Sequence, residues 1–172
     1  MLNYLLKRKL RYQAGHPNRK RETHTLRTAR SIALLFDATQ TDFRQEAIHW
    51  ARRQEQDGKK VYLLGYFDNR QPPDNPGFPF FSKKQRALNG AWKTAALETF
   101  VHEKPDLMVT LNPKDLLAVA YASLLAQARM KVGAPTNWPQ DYDLMIEIPE
   151  KKGLEFFFEQ MNVYLDKLHT NK

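Results

Sequence analysis

Residues 31–42, SIALLFDATQTD, decide the fold class of this chain. Positions 32–36 form an apolar run closed by Asp37, and Thr39 follows at a position suited to helix capping. A short apolar run that feeds a helix reads as a strand buried on both faces, as in parallel sheets. It is expected to be the first and central strand of an α/β sheet. Upstream lies an arm crowded with Lys and Arg, and downstream a charge-balanced alternation of strand and helix patterns.

Downstream of the run, Thr39 and Asp42 have the spacing of a capping box, with Asp in place of the preferred Glu. Phe43, Ala47, Trp50 and Ala51 mark one helical stripe, which Gly58 ends. Residues 60–67, KVYLLGYF, form a second strand pattern. Residues 68–79 hold Pro72, Pro73, Pro76 and Pro79 and are long for a connection within a compact domain, so a functional or mobile loop is expected. Phe78, Phe80 and Phe81 either tuck it onto the core or add a short edge strand. Residues 92–103 carry a helical stripe at Ala96, Leu97, Phe100 and Val101.

Residues 106–111, DLMVTL, form the third strand pattern. Asn112, Pro113 and Asp115 follow helix-start grammar: a capping amide, Pro at the first helical position, an acid in the first turn. The next helix, 116–128, is apolar on most sides, with Lys131 and Gly133 as its stop. Residues 142–148, YDLMIEI, alternate like a half-exposed strand near a sheet edge. Leu154, Phe157, Phe158, Met161, Leu165 and Leu168 close the chain as an amphipathic helix. Strands separated by helices imply parallel pairing and right-handed crossovers. The expected fold is an α/β three-layer sandwich with a mostly parallel four- or five-stranded sheet, Rossmann-like or flavodoxin-like. A basic amino-terminal helix and arm, 1–30, precedes a single domain, 31–172.

Charge separates these two parts. The chain of 172 residues has a net charge of +8 and a pI near 9.7. Residues 1–30 hold nine Lys and Arg against one acid, Glu22, and the rest carries 18 basic and 18 acidic residues. The whole excess therefore sits in the arm, and such asymmetry points to a polyanion, either nucleic acid or an anionic lipid surface. No cysteine is present, which excludes disulfides and cysteine-ligated metal sites and fits a reducing cytoplasm. No apolar stretch approaches the roughly 20 residues of a spanning helix. The amino end mixes apolar residues with charge and is not read as a signal peptide.

Residues 1–12, MLNYLLKRKLRY, have helical periodicity. At 100° per residue Met1, Leu2, Leu5, Leu6, Leu10 and Tyr12 share a broad face. Lys7, Arg8 and Arg11 lie opposite, and Lys9 intrudes on the apolar side. A helix this short needs something to dock on. Gly15 and Pro17 break it, and residues 16–24, HPNRKRETH, read as exposed, mobile chain.

The succession SIALLFDAT, PDLMVTLNP, ARMKVGAP, YDLMIEI and FFFEQMNVYLDKL behind a basic amino end resembles a family of small uncharacterised bacterial α/β proteins of unknown function. The resemblance spans residues 1–168, although Asn89-Gly90-Ala91-Trp92 stands where that family shows an adjacent Asn-Trp pair. It implies a cytoplasmic bacterial protein and supplies no catalytic residues.

Two site hypotheses follow. The first assigns polyanion contact to Lys7, Arg8, Lys9, Arg11, Arg19, Lys20, Arg21, Arg27 and Arg30. Each neutralised phosphate releases counterions, and Tyr4, Tyr12 and His16 offer stacking for unpaired bases. RNA or the ribosome is the first expected partner. An anionic membrane surface, entered by Leu2, Leu5, Leu6 and Leu10, is the alternative. The second hypothesis uses the carboxyl ends of the strands, where α/β folds bind ligands. Asp37, Thr39, Thr41, Asp68, Asn69, Asn112 and Lys114 emerge there and suit a small polar or phosphorylated ligand of an enzyme or sensor. Helix capping and turn formation account for several of these residues without a ligand.

No cofactor, metal or catalytic residue is assigned. Gly-x-Gly-x-x-Gly and Walker patterns are absent. His16, His24, His49, His102 and His169 lack zinc-binding spacing, and no Ser lies in a Gly-x-Ser-x-Gly elbow.

Overall fold

A computed structural model describes residues 1–170. The run that opens the sheet is β1 (Ser31–Asp37), and its side chains alternate between two cores. Ile32, Leu34 and Phe36 enter one cluster, while Ala33 and Leu35 enter the other. Both faces are covered, so the strand is apolar at consecutive positions.

The other strands are β2 (Lys60–Phe67), β3 (Phe80–Ser82), β4 (Leu107–Leu111), β5 (Met130–Gly133) and β6 (Leu144–Met145). They form one all-parallel sheet of six strands in the order β3-β2-β1-β4-β5-β6. That order reverses direction between β1 and β4, as in doubly wound dinucleotide-binding folds. Helices α2 (Thr41–Gln56) and α5 (Gly153–Thr170) pack through Trp50, Phe157, Phe158 and Met161 on one face. The other face carries α1 (Leu2–Gly15), α3 (Ala95–His102) and α4 (Leu117–Leu125).

The expected α/β sandwich is present with one strand more than anticipated. The Phe-rich segment adds β3, and 130–133 adds β5. That last segment holds Lys131 and Gly133, the expected stop of the preceding helix, because Lys131 resembles a cation at a helix end. Instead Met130 and Val132 face the α2 and α5 side, and Lys131 faces α4 with no solvent exposure. Further boundaries move for local reasons. The cap of α2 is Gln40, because Thr39 is engaged elsewhere. The expected helix start at Asn112 is a turn in which Asp115 adopts φ +52°, and α4 begins at Leu117. Thr94 caps α3 by accepting from the Leu97 N–H. The strand pattern at 142–148 pairs only over Leu144–Met145.

The amino-terminal helix is docked. Leu6 and Leu10 are buried among Ala33, Leu35 and the α4 residues. Each such burial is worth about 1.5–3 kcal/mol, enough to hold a helix that is marginal alone. The buried stripe is narrower than expected, because Met1, Leu5 and Tyr12 face outward. The expectation for the Leu2 side chain lies outside the described residues. After α1 the chain runs as a strap along the amino ends of β5, β4 and β1. The Glu22 N–H donates to the Arg129 carbonyl at 3.1 Å, and the Arg30 N–H to Asp106 Oδ2 at 2.8 Å. The expected mobile segment is thus bonded to the body at successive points.

Candidate functional site

The nine cations of the amino-terminal region divide by what surrounds them. Arg19 is folded into the body. Its side chain is 1% exposed, with Nε 2.7 Å from Asp141 Oδ2 and Nη2 2.9 Å from Asp143 Oδ2. It also donates to the Arg129 and Asp141 carbonyls at 2.9 and 2.6 Å. Behind it lies Lys131, whose Nζ is 2.8 Å from Asp141 Oδ1 and donates to the Ser123 carbonyl at 2.9 Å. Asp141 therefore joins two buried cations, one ten residues before it and one 122 residues before it. Burial pushes the Lys131 ammonium down to about 8, while the Asp141 carboxylate acts in the opposite direction. Arg19 was expected to contact a polyanion, and its guanidinium is instead spent on the protein's own carboxylates.

Lys20, Arg21 and Arg27 are intermediate. Lys20 is 81% exposed but pairs with Glu22 at 2.7 Å, and that hydrogen bond holds the Glu22 carboxyl below its usual range. Arg21 lies 3.5 Å from Asp143, and Arg27 lies 3.8 Å from Asp166 on α5. Arg30 is exposed while its backbone is held by Asp106. These four follow the strap across the end of the sheet and do not form one patch.

The outward face of α1 is different. Tyr4, Leu5, Arg8, Lys9, Arg11 and Tyr12 are exposed on the side opposite Leu6 and Leu10. Among the described residues, Arg8, Lys9 and Arg11 have no carboxylate partner within ion-pair distance. Lys7, at the rim, sits with Nζ 5.6 Å from the Trp138 ring centroid. Tyr12 stacks on His16 with ring centroids 4.5 Å apart. Arg86 donates to Asn3 Oδ1 at 2.7 Å and adds a cation near the start of the helix. Aromatic and cationic side chains thus share one continuous surface, with spacings of three and four residues that make neighbours on a helix.

At the carboxyl ends of the strands, hydrogen bonds join three of the seven expected residues, Asp37, Thr39 and Asp68, and the other four are held by neighbouring groups or exposed. Asp37 is buried and accepts the Thr39 N–H at 3.0 Å. Thr39 Oγ1 accepts the Asp68 N–H at 3.0 Å, linking the ends of β1 and β2. Asp68 accepts from the Tyr66 hydroxyl at 3.3 Å and lies 3.7 Å from the Lys83 ammonium. Thr41 accepts from Arg44 at 3.4 Å. Both ends of the Asn112 amide are used on the Leu116 backbone, at 2.8 and 3.0 Å. Asn69 and Lys114 are exposed. None of these seven residues lines any of five cavities on the described surface, and their bonding is that of a turn network.

Sequence reasoning missed the Asp141 and Lys131 centre. The only local signal was a Lys inside the apolar run MKVG, a position that a buried strand tolerates only with a counter-charge. Among the described residues, no cluster of His, Cys, Asp and Glu suits a metal, and no helix is long and apolar enough to cross a membrane.

The chain belongs to the family of unknown function DUF6913, whose match covers residues 3–168. No curated protein and no solved structure matches it.

Proposed function

We propose that this is a non-catalytic binding protein that meets RNA, free or within the ribosome, through the outward face of α1. Arg8, Lys9 and Arg11 supply phosphate contacts, with Lys7 and Lys20 at the margin, and Tyr4 and Tyr12 supply stacking platforms. The observation that carries the reading is the exposed surface of α1, where cations that have no carboxylate partner among the described residues alternate with aromatic rings. Phosphate neutralisation gives affinity with a steep salt dependence, and stacking adds about 1–3 kcal/mol per base. A docked helix also has little ordering entropy left to lose on binding.

Deleting residues 1–30 is a poor test, because it removes Leu6, Leu10 and Arg19 from the interior. The better variant is Arg8→Glu with Arg11→Glu, which alters only exposed positions. Fluorescence anisotropy with a labelled single-stranded RNA, and co-sedimentation with ribosomes, should lose binding by more than tenfold in this variant. Unchanged binding would refute the assignment.

The membrane reading draws on Met1, Leu5, Tyr4 and Tyr12, which are exposed beside the same cations. Leu6 and Leu10 are already buried in the protein, which leaves few apolar side chains to insert. Flotation with anionic liposomes that is lost on Leu5→Glu would favour membrane over RNA.

A further inference from the structure

The sheet has an unfinished edge. β3 pairs with β2 only at Gly65, Tyr66 and Phe67, so the first half of β2 has a neighbour on one side alone. Bond directions identify which residues face outward. The Lys60 N–H donates to the Arg30 carbonyl and the Tyr66 carbonyl accepts from Ala38, so even-numbered residues point to β1. The Gly65 N–H donates the other way, to the Pro79 carbonyl. Val61 and Leu63 share that direction and present their N–H and C=O groups to open space.

Two residues explain why the chain does not complete this edge. Pro79 lacks an N–H to extend the ladder, and Gly77, at φ +82°, turns the preceding loop away. A groove of about 510 Å³ results, lined by Val61, Tyr62 and Leu63 on the floor, Phe78 on one wall and Ala96 and Thr99 of α3 on the other. Phe78 reaches its place by crossing Gly65, where any side chain would collide with its ring. The small residues on α3 leave the channel open. Glu55 and Glu103 line it and Lys60 stands beside it, with its ammonium 4.9 Å from the Tyr62 ring centroid, so two carboxylates face one cation in a chain of net charge +8.

We propose that this groove takes an extended, basic segment of a partner protein, which adds to the sheet as a strand beside Val61 and Leu63. Unpaired strand edges are templates for such addition, and pockets beside the edge read alternate side chains. The chemistry specifies the ligand: small apolar residues alternating along an extended chain, with Lys or Arg placed to meet Glu55 and Glu103. A polyanion is disfavoured at this groove, which makes it distinct from the α1 surface.

The test is selection from a phage-displayed library of random dodecapeptides, followed by anisotropy with the labelled winning peptide. Enriched peptides should alternate apolar residues and carry Lys or Arg. Thr99→Trp or Ala95→Trp, both at exposed positions, should weaken binding at least tenfold with unchanged circular dichroism. Glu55→Lys with Glu103→Lys should weaken it several-fold, and bound peptide should slow amide exchange at Val61 and Leu63. Failure to enrich any peptide, or binding that survives both Trp variants with those amides unprotected, would overturn the proposal. So would a homodimer that Thr99→Trp dissociates, since the occupant would then be a second copy. Neither result depends on whether α1 binds RNA.

Discussion

Two arginines eleven residues apart, Arg8 and Arg19, belong to the same basic stretch and have opposite roles. Arg8 stands on the outer side of α1 with no carboxylate at ion-pair distance among the described residues, whereas Arg19 is sealed beneath the strap between Asp141 and Asp143. The difference comes from what each side chain meets in the fold, and net charge is blind to it. One cation is available to a partner, and the other fastens the amino-terminal segment to the sheet.

Arg19→Ala should produce the largest effect. Removing one member of a buried ion pair leaves its partners under-compensated and costs about 3–5 kcal/mol. Retained Lys131 keeps Asp141 toward the lower end of that range. Denaturant unfolding measures it, and a loss below about 1 kcal/mol would erase the contrast with Arg8. Next comes Leu10→Ala, which empties a fully buried position between α1 and α4 and should cost about 2–5 kcal/mol. If α1 were detachable, this substitution would be nearly silent.

The smallest effect is a pH dependence from Lys131. Its ammonium titrates near 8 in the folded protein, against an ordinary 10.5. Between those values the unfolded chain binds this proton more strongly, so the residue's contribution to stability rises with pH. Below about 8 both states are protonated and the contribution is flat. Comparing wild type with Lys131→Met from pH 7 to 10 isolates it, and the gap should shift in favour of wild type above 8. Parallel curves would mean that Lys131 is not held as the structure implies.

Several elements were legible because their signals are local. The apolar run of β1, the β-formers of β2 and the stripes of α2 and α5 each encode burial within one segment. Lys131 was misread because a cation in a strand makes sense only with Asp141, which lies ten residues further on in an irregular stretch. Arg19 was misread for the same reason at longer range, its partner being 122 residues away. On α1 the leucines were visible, but choosing Leu6 and Leu10 over Leu5 depends on where α4 lies. The strand-end residues follow β1, β2 and β4 as the strand patterns imply, while the bonds that occupy most of their side chains depend on how neighbouring strand ends meet. The groove beside β2 needed strand register, which composition cannot supply.

The central claim is tested most directly by two readings on two variants. RNA affinity over a range of salt concentrations and unfolding free energy are measured for Arg8→Ala and Arg19→Ala. Arg8→Ala should weaken binding and reduce the log–log salt slope by about 0.7–0.9, with stability within about 0.5 kcal/mol of wild type. Arg19→Ala should lower stability and leave the affinity of the folded molecules unchanged. The reverse pattern, or an affinity indifferent to Arg8, would contradict the division between an outward binding surface and an inward fastening.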